Sequence, residues 1–175
     1  RRSLMAPLKA APASRARESA FRMLARREHS RVELRSKLSA RGFAEELIET
    51  LLESLQDERA QSDQRFAESL LSSRLRAGYG PLRIRMELKE KGVDSELVDQ
   101  ALASAETEWD RVLTMVYDRK FGCSPIKSFK EWARRAQHLQ RRGFGADAIK
   151  RVMGSWGSAA LDAQSEDHPE PGAST

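Results

Sequence analysis

A leucine four residues before a glycine, with an apolar residue directly after that glycine, occurs three times: Leu38 to Gly42-Phe43, Leu88 to Gly92-Val93 and Leu139 to Gly143-Phe144. Counted from each glycine, position +6 is Ile48, Val98 and Ile149, and position +10 is Leu52, Leu102 and Met153. The glycines stand at 42, 92 and 143, about 50 residues apart, and a period of that size marks stacked structural repeats. Apolar residues spaced three and four apart on both sides of the glycine predict one helix that ends in a glycine turn and another that follows it. A single copy cannot bury its apolar face alone, so the pattern calls for a tandem array.

Each copy also has a helix before the glycine-terminated one. In the first, Ala20, Phe21 and Leu24 predict an apolar helix face from about Arg15 to Glu28. Ser30-Arg31-Val32-Glu33 then reads as a capping box that opens a helix with Leu34 and Leu38 inward. A third helix, about Ala44 to Asp57, carries Leu47, Ile48, Leu51, Leu52 and Leu55 on one face. The second copy repeats the order with Phe66, Leu70 and Leu71, then Ile84 and Leu88 after Gly78-Tyr79-Gly80-Pro81, then Leu97, Val98, Ala101 and Leu102. The glycines and the proline of that segment stop one helix and start the next.

The third copy begins near Ala105 with Trp109, Val112, Leu113 and Val116, and a second capping box, Ser128-Phe129-Lys130-Glu131, follows. Phe129, Trp132, Ala136 and Leu139 predict a buried stripe rotated relative to the other copies, because Arg135 stands where Leu34 and Ile84 stand. The predicted fold is all-α: an elongated tandem array of three three-helix repeats, about nine helices, over residues 15–59, 60–104 and 105–156. The Ala-, Pro- and Ser-rich ends, 1–14 and 157–175, are expected to be disordered.

Charged residues make up 33% of the 175, with a formal net charge of +5 and a mean hydropathy of -0.63, which suits an extended helical array better than one globule. No apolar run approaches the roughly 20 residues that span a bilayer, and no signal-peptide pattern opens the chain, so a cytoplasmic location is expected. Cys123 is the only cysteine and His29, His138 and His168 are scattered without metal-ligand spacing, so neither a disulfide nor a metal or cofactor is expected. The Gly78/Gly80 pair lacks the later glycine and lysine of a phosphate-binding loop. Nothing in these patterns points to an enzyme.

The second helices of the repeats are basic, with Arg31 and Arg35, then Arg83, Arg85 and Lys89, then Arg134, Arg135 and Arg142. The third helices of the first two repeats carry acids and no Lys or Arg. Such segregation predicts one basic and one acidic surface on the array. Solvated helix faces often look like this, but Arg35 and Arg85 hold the same place relative to their leucines. The basic face is therefore expected to bind phosphates or acidic protein surface, with Tyr79 placed among arginines to stack or donate.

Four segments resemble the RecX family of bacterial regulatory proteins. They are Leu24-Ala25-Arg26-Arg27-Glu28-His29-Ser30 with Glu33-Leu34 and Lys37-Leu38; Asp63-Gln64-Arg65-Phe66-Ala67 with Arg74; Gly78-Tyr79-Gly80-Pro81 with Arg83-Ile84 and Leu88-Lys89-Glu90-Lys91-Gly92; and Arg141-Arg142-Gly143-Phe144. The resemblance implies a non-enzymatic regulator built of three-helix repeats. It would bind the filament of the RecA recombinase on DNA along its groove, and so limit recombinase, ATPase and co-protease activity in DNA repair and the SOS response. The expected contact residues are Arg26, Arg31, Arg35, Arg74, Tyr79, Arg83, Arg85, Lys89, Arg134 and Arg142. The alternative is a protein that binds single- or double-stranded DNA directly, with helix-turn-helix-like units. With no long apolar stripe left over, a monomer is expected.

Overall fold

The structure is a computed structural model that describes residues 11–156. Among these residues there are nine α-helices and no strand: α1 (Pro12–Leu24), α2 (Arg31–Ser39), α3 (Glu45–Asp57), α4 (Asp63–Arg76), α5 (Pro81–Glu90), α6 (Ser95–Ser104), α7 (Trp109–Phe121), α8 (Phe129–Arg141) and α9 (Ala146–Met153). A short 3-10 turn, Glu106–Glu108, leads into α7. The first helix starts at Pro12 rather than near Arg15. Proline suits the first turn, where its missing N–H leaves no intrahelical bond unmade. The disordered tail expected over 1–14 is therefore overlapped by α1 from Pro12, and its residues 1–10, like the tail expected over 157–175, lie outside the described residues.

The chain forms two compact units. Among the described residues, one takes in 11–70 together with Leu88–Ala101, and the other takes in Leu71–Glu87 and 102–156. Helices α1 to α3 belong wholly to the first and α7 to α9 wholly to the second, whereas α4, α5 and α6 have residues in both.

The three repeated glycines end their helices in the same way. Gly42, Gly92 and Gly143 have φ of 81°, 74° and 95°, the left-handed region that glycine adopts without a Cβ penalty. After each, the next residue's N–H reaches back to the leucine carbonyl: Phe43 to Leu38, Val93 to Leu88 and Phe144 to Leu139. The glycine N–H itself donates to Ser39, Lys89 or Gln140. These paired bonds satisfy carbonyls that the helix end leaves open. The consequence is a fixed exit angle, used three times.

The residues counted from those glycines are the core. Leu38, Leu88 and Leu139 are fully buried, as are Ile48, Val98 and Leu52, and Ile149, Leu102 and Met153 are nearly so. In the first unit Ala16, Ala20, Met23, Leu34, Leu38, Ile48, Leu51, Leu52 and Leu55 form one cluster. In the second, Val112, Leu113, Val116, Ala136, Leu139, Phe144, Ile149 and Met153 form another. Each fully buried leucine or isoleucine favours the folded state by roughly 2 kcal/mol over an exposed one.

Two expected core positions and the expected rotation of the α8 stripe differ. Phe21 is 40% exposed, because α1 packs through the small Ala16, Ser19 and Ala20 with Met23. Small side chains let the helix approach closely, and Phe21 is left outside with the Arg17 guanidinium 5.0 Å over its ring. Phe129 is 59% exposed and stacks on Trp132 at 6.3 Å between ring centres. Arg135 keeps the inward position of Leu34 and Ile84 and is itself buried, so the stripe of α8 is not rotated away from it. Its guanidinium donates to the Tyr117 hydroxyl (2.7 Å), the Ser124 carbonyl (2.9 Å) and Glu131, and lies 5.1 Å over the Phe121 ring. A buried charge needs this many partners to be tolerated.

Candidate partner-binding site

In the second unit the Gly78-Tyr79-Gly80-Pro81 turn meets the turn at Gly143. The Gly80 N–H donates to the Arg142 carbonyl at 2.8 Å and the Leu82 N–H to the Gly143 carbonyl at 3.0 Å. Backbones this close leave no room for side chains: a Cβ on Gly143 would stand 2.5 Å from the Arg83 Cβ. Tyr79 directly precedes Gly80. Its half-buried ring carries the Arg83 guanidinium at 4.9 Å and the Arg142 guanidinium at 5.2 Å from its centre.

Arg142 is steadied by a bond from Nη1 to the Ala77 carbonyl, 2.9 Å, and the Tyr79 N–H donates to the Arg74 carbonyl, 3.0 Å. Arg74 reaches Glu87 through Nε at 2.7 Å and through a second, shorter bond. The hydrogen bond to Glu87, with its charge, raises the Arg74 pKa against the opposing effect of burial. Arg74 is thus held by a carboxylate, while Arg83 and Arg142 rest on an aromatic face and have no carboxylate partner among the described residues. Burial lowers the His138 pKa, and Arg142, Lys120 and Arg141 lower it further, which marks the surrounding potential as positive.

The first unit treats its expected residues differently. Arg31 bonds Glu49 at 2.7 Å and also Gln56, and Arg35 pairs with Glu45 and with Glu49 at 3.2 Å. Here the separation of basic and acidic helices expected from the sequence does not become two surfaces. The basic α2 and the acidic α3 face each other and neutralise one another. Arg26 and Lys89 are exposed, and among the described residues neither has a carboxylate within ion-pair distance.

A second ionic group lies at the start of α2. The Ser30 hydroxyl accepts the Glu33 N–H at 3.1 Å and donates to the Lys91 carbonyl at 2.7 Å. The Glu33 carboxylate, expected to turn back on Ser30, instead takes Arg27 at 2.9 Å and Lys91 at 2.8 Å. Burial would raise its pKa, but the hydrogen bonds and charges of Arg27 and Lys91 outweigh that and hold it at about 2. Buried His29 lies with Nδ1 3.0 Å from the Arg27 carbonyl and Nε2 3.2 Å from the Lys37 ammonium. A lysine can only donate, so Nδ1 carries the imidazole proton.

Of the ten expected residues, the fold brings Arg74, Tyr79, Arg83 and Arg142 together. It sets Arg31 and Arg35 against acids and leaves Arg26, Lys89 and Arg134 on exposed surface. Arg85 is half-buried and has an interaction of its own. The pairing of the Gly80 and Gly143 turns was not legible beforehand, since a glycine marks a turn without naming what packs on it. Among the described residues no group of three His, Cys, Asp or Glu could hold a metal, and no helix is long and apolar enough to cross a membrane.

The three parts of the chain match three family models: the RecX first three-helix domain over residues 16–55, the second over 62–102 and the third over 106–153. The regulatory protein RecX of Halorhodospira halophila is 40% identical over 153 residues, 87% of this chain and 92% of that protein. The RecX of Pseudomonas savastanoi pv. phaseolicola is 42% identical over 142 residues, 81% of this chain and 91% of that one. A crystal structure of RecX from Lactobacillus salivarius has the same fold, with a TM-score of 0.72 at 21% identity over 81% of this chain and 94% of that one. A second RecX crystal structure gives 0.71 at 19% identity, over 83% of this chain and 73% of that one.

Proposed function

The chain belongs to the RecX family of regulatory proteins, and on that premise we propose that it binds the RecA-DNA nucleoprotein filament in its groove and inhibits recombinase, ATPase and co-protease activity without catalysing a reaction itself. The observation that carries the proposal is the junction at Tyr79. Two guanidinium groups, Arg83 and Arg142, are presented over one ring by paired backbone turns, and neither has a carboxylate partner among the described residues. Such donors are ordered before any partner arrives, so little side-chain entropy is lost on binding. They suit DNA phosphates or the carboxylates of a filament subunit.

Lys89, Arg134 and Arg26 add exposed positive charge that would speed encounter and make binding weaken as salt rises. Arg31, Arg35 and Arg74 act indirectly, by holding α2, α3 and α5 in place through their carboxylate partners. The protein would act in the cytoplasm, where the recombinase and its DNA are. The test is recombinase ATP hydrolysis on single-stranded DNA, titrated with this protein and repeated with excess competing DNA. Inhibition well below one protein per recombinase subunit that survives the competitor supports action on the filament. Inhibition that the competitor removes supports direct DNA binding instead.

A further inference from the structure

In the first unit a cavity of about 470 Å³ opens between α1 and the turn that follows α2. On the α1 side its wall is a stripe: Arg15, Ser19, Arg22 and Arg26 recur at intervals of four, three and four, which places them along one helix face. Arg41 closes the cavity from the turn after α2, and Glu18 is its one acidic lining residue. Four arginines against one glutamate leave the cavity strongly positive.

The arginines are not spent on one another's neighbours. Glu18 reaches Arg22 only at 3.7 Å, with both side chains about 70% exposed, and among the described residues Arg15 and Arg26 have no carboxylate partner. Arg41 is placed: its Nη1 donates to the Oγ of Ser19, which is 7% exposed, and lies 3.2 Å from the Met23 sulfur. The remaining guanidinium nitrogens keep their protons for a ligand. The rest of the wall is apolar, with Met23 and the half-buried Phe43 beside the charges.

We infer that this cavity binds a nucleotide, its phosphates held by Arg15, Arg22, Arg26 and Arg41 and its flat base or sugar against Met23 and Phe43. Guanidinium forks match phosphate oxygens two at a time, and a cavity of this size holds a mononucleotide. An apolar wall next to the cationic one distinguishes a nucleotide from a bare anion. The phosphate can come from a free nucleoside triphosphate or from a nucleotide of a single strand. The inference does not depend on the filament reading, since the cavity is remote in sequence from the Tyr79 junction and its test contains no recombinase.

The test is calorimetric titration of the full chain with ATP and, separately, with a short 5′-phosphorylated oligothymidine. Arg22→Ala and Arg26→Ala should each weaken binding about tenfold, the usual effect of losing one charge-assisted hydrogen bond. Glu18→Gln should tighten it about threefold by removing the one opposing charge. Lys150→Ala, which removes an exposed positive charge from α9, should leave it unchanged. ATP binding with this pattern supports the site with a free nucleotide as ligand. Binding of the oligothymidine alone with the same pattern supports it with a strand as the source. Absence of binding by both, or binding indifferent to Arg22, Arg26 and Glu18, overturns it.

Discussion

Gly80 and Gly143 touch through their backbones: a Cβ on Gly80 would stand 2.6 Å from the Gly143 carbonyl carbon, and 2.8 Å from the next amide nitrogen. Two turns far apart in sequence therefore share one contact, and Tyr79, Arg83 and Arg142 are arranged around it. The family segments on either side of these glycines acquire a common physical purpose. They build the junction that carries the proposed binding residues.

Gly80→Ala should cost about 2 kcal/mol or more, because the methyl group would meet backbone that cannot swing aside. Gly145→Ala, where nothing lies within 4 Å, should change stability by less than about 1 kcal/mol. Urea unfolding of the two variants checks the contrast. Equal stability of both would mean that the turns do not meet.

Arg135→Ala should destabilise the protein by about 3 kcal/mol, since it empties a buried position and strips Glu131, Tyr117 and Ser124 of their donor. Arg135→Leu restores the residue type of the equivalent Leu34 and should lose less than half of that. The order of unfolding midpoints in guanidinium chloride tests it.

The Glu33 carboxylate predicts a specific acid response. Its folded pKa of about 2 lies below the ordinary value of 4.5, so its contribution is complete above pH of about 4.5 and is lost as pH falls toward 2. Glu33→Gln should therefore be less stable than the parent by about 1–2 kcal/mol at pH 7, and the gap should close between pH 4.5 and 2. Chemical unfolding of both proteins across that range is the measurement.

Arg35→Glu should lower stability by about 1 kcal/mol, because it would set a third carboxylate beside Glu45 and Glu49. The added helix repulsion should disappear in Glu45→Gln/Glu49→Gln protein. A stability cost that persists in that background would show that Arg35 faces something other than α3.

The glycine period, the +6 and +10 positions and the leucines four residues ahead were legible because they repeat, and repetition averages out local accidents. The sequence also named Tyr79, Arg83 and Arg142 among ten expected contact residues, and the fold groups these three. What it could not supply was the facing of charges. Arg35 on α2 and Glu49 on α3 look like two separate surfaces when each helix is read alone, and only packing reveals them as one ion pair. Phe21 shows the same limit, since its spacing suits a core face but Ala16 and Ala20 allow the tighter approach. Arg135 is the reverse case: a charge at an apolar position reads as a rotated stripe until its ring of donors and acceptors is seen.

The most direct measurement is recombinase ATP hydrolysis on single-stranded DNA, titrated with the full chain and with Arg83→Ala/Arg142→Ala protein in the presence of competing DNA. The account predicts inhibition by the parent well below one protein per recombinase subunit, with the half-inhibiting concentration raised at least about tenfold in the double variant. Its helical circular dichroism should be unchanged. No inhibition by the parent, or equal inhibition by the variant, would contradict the assignment of the Tyr79 junction to the filament.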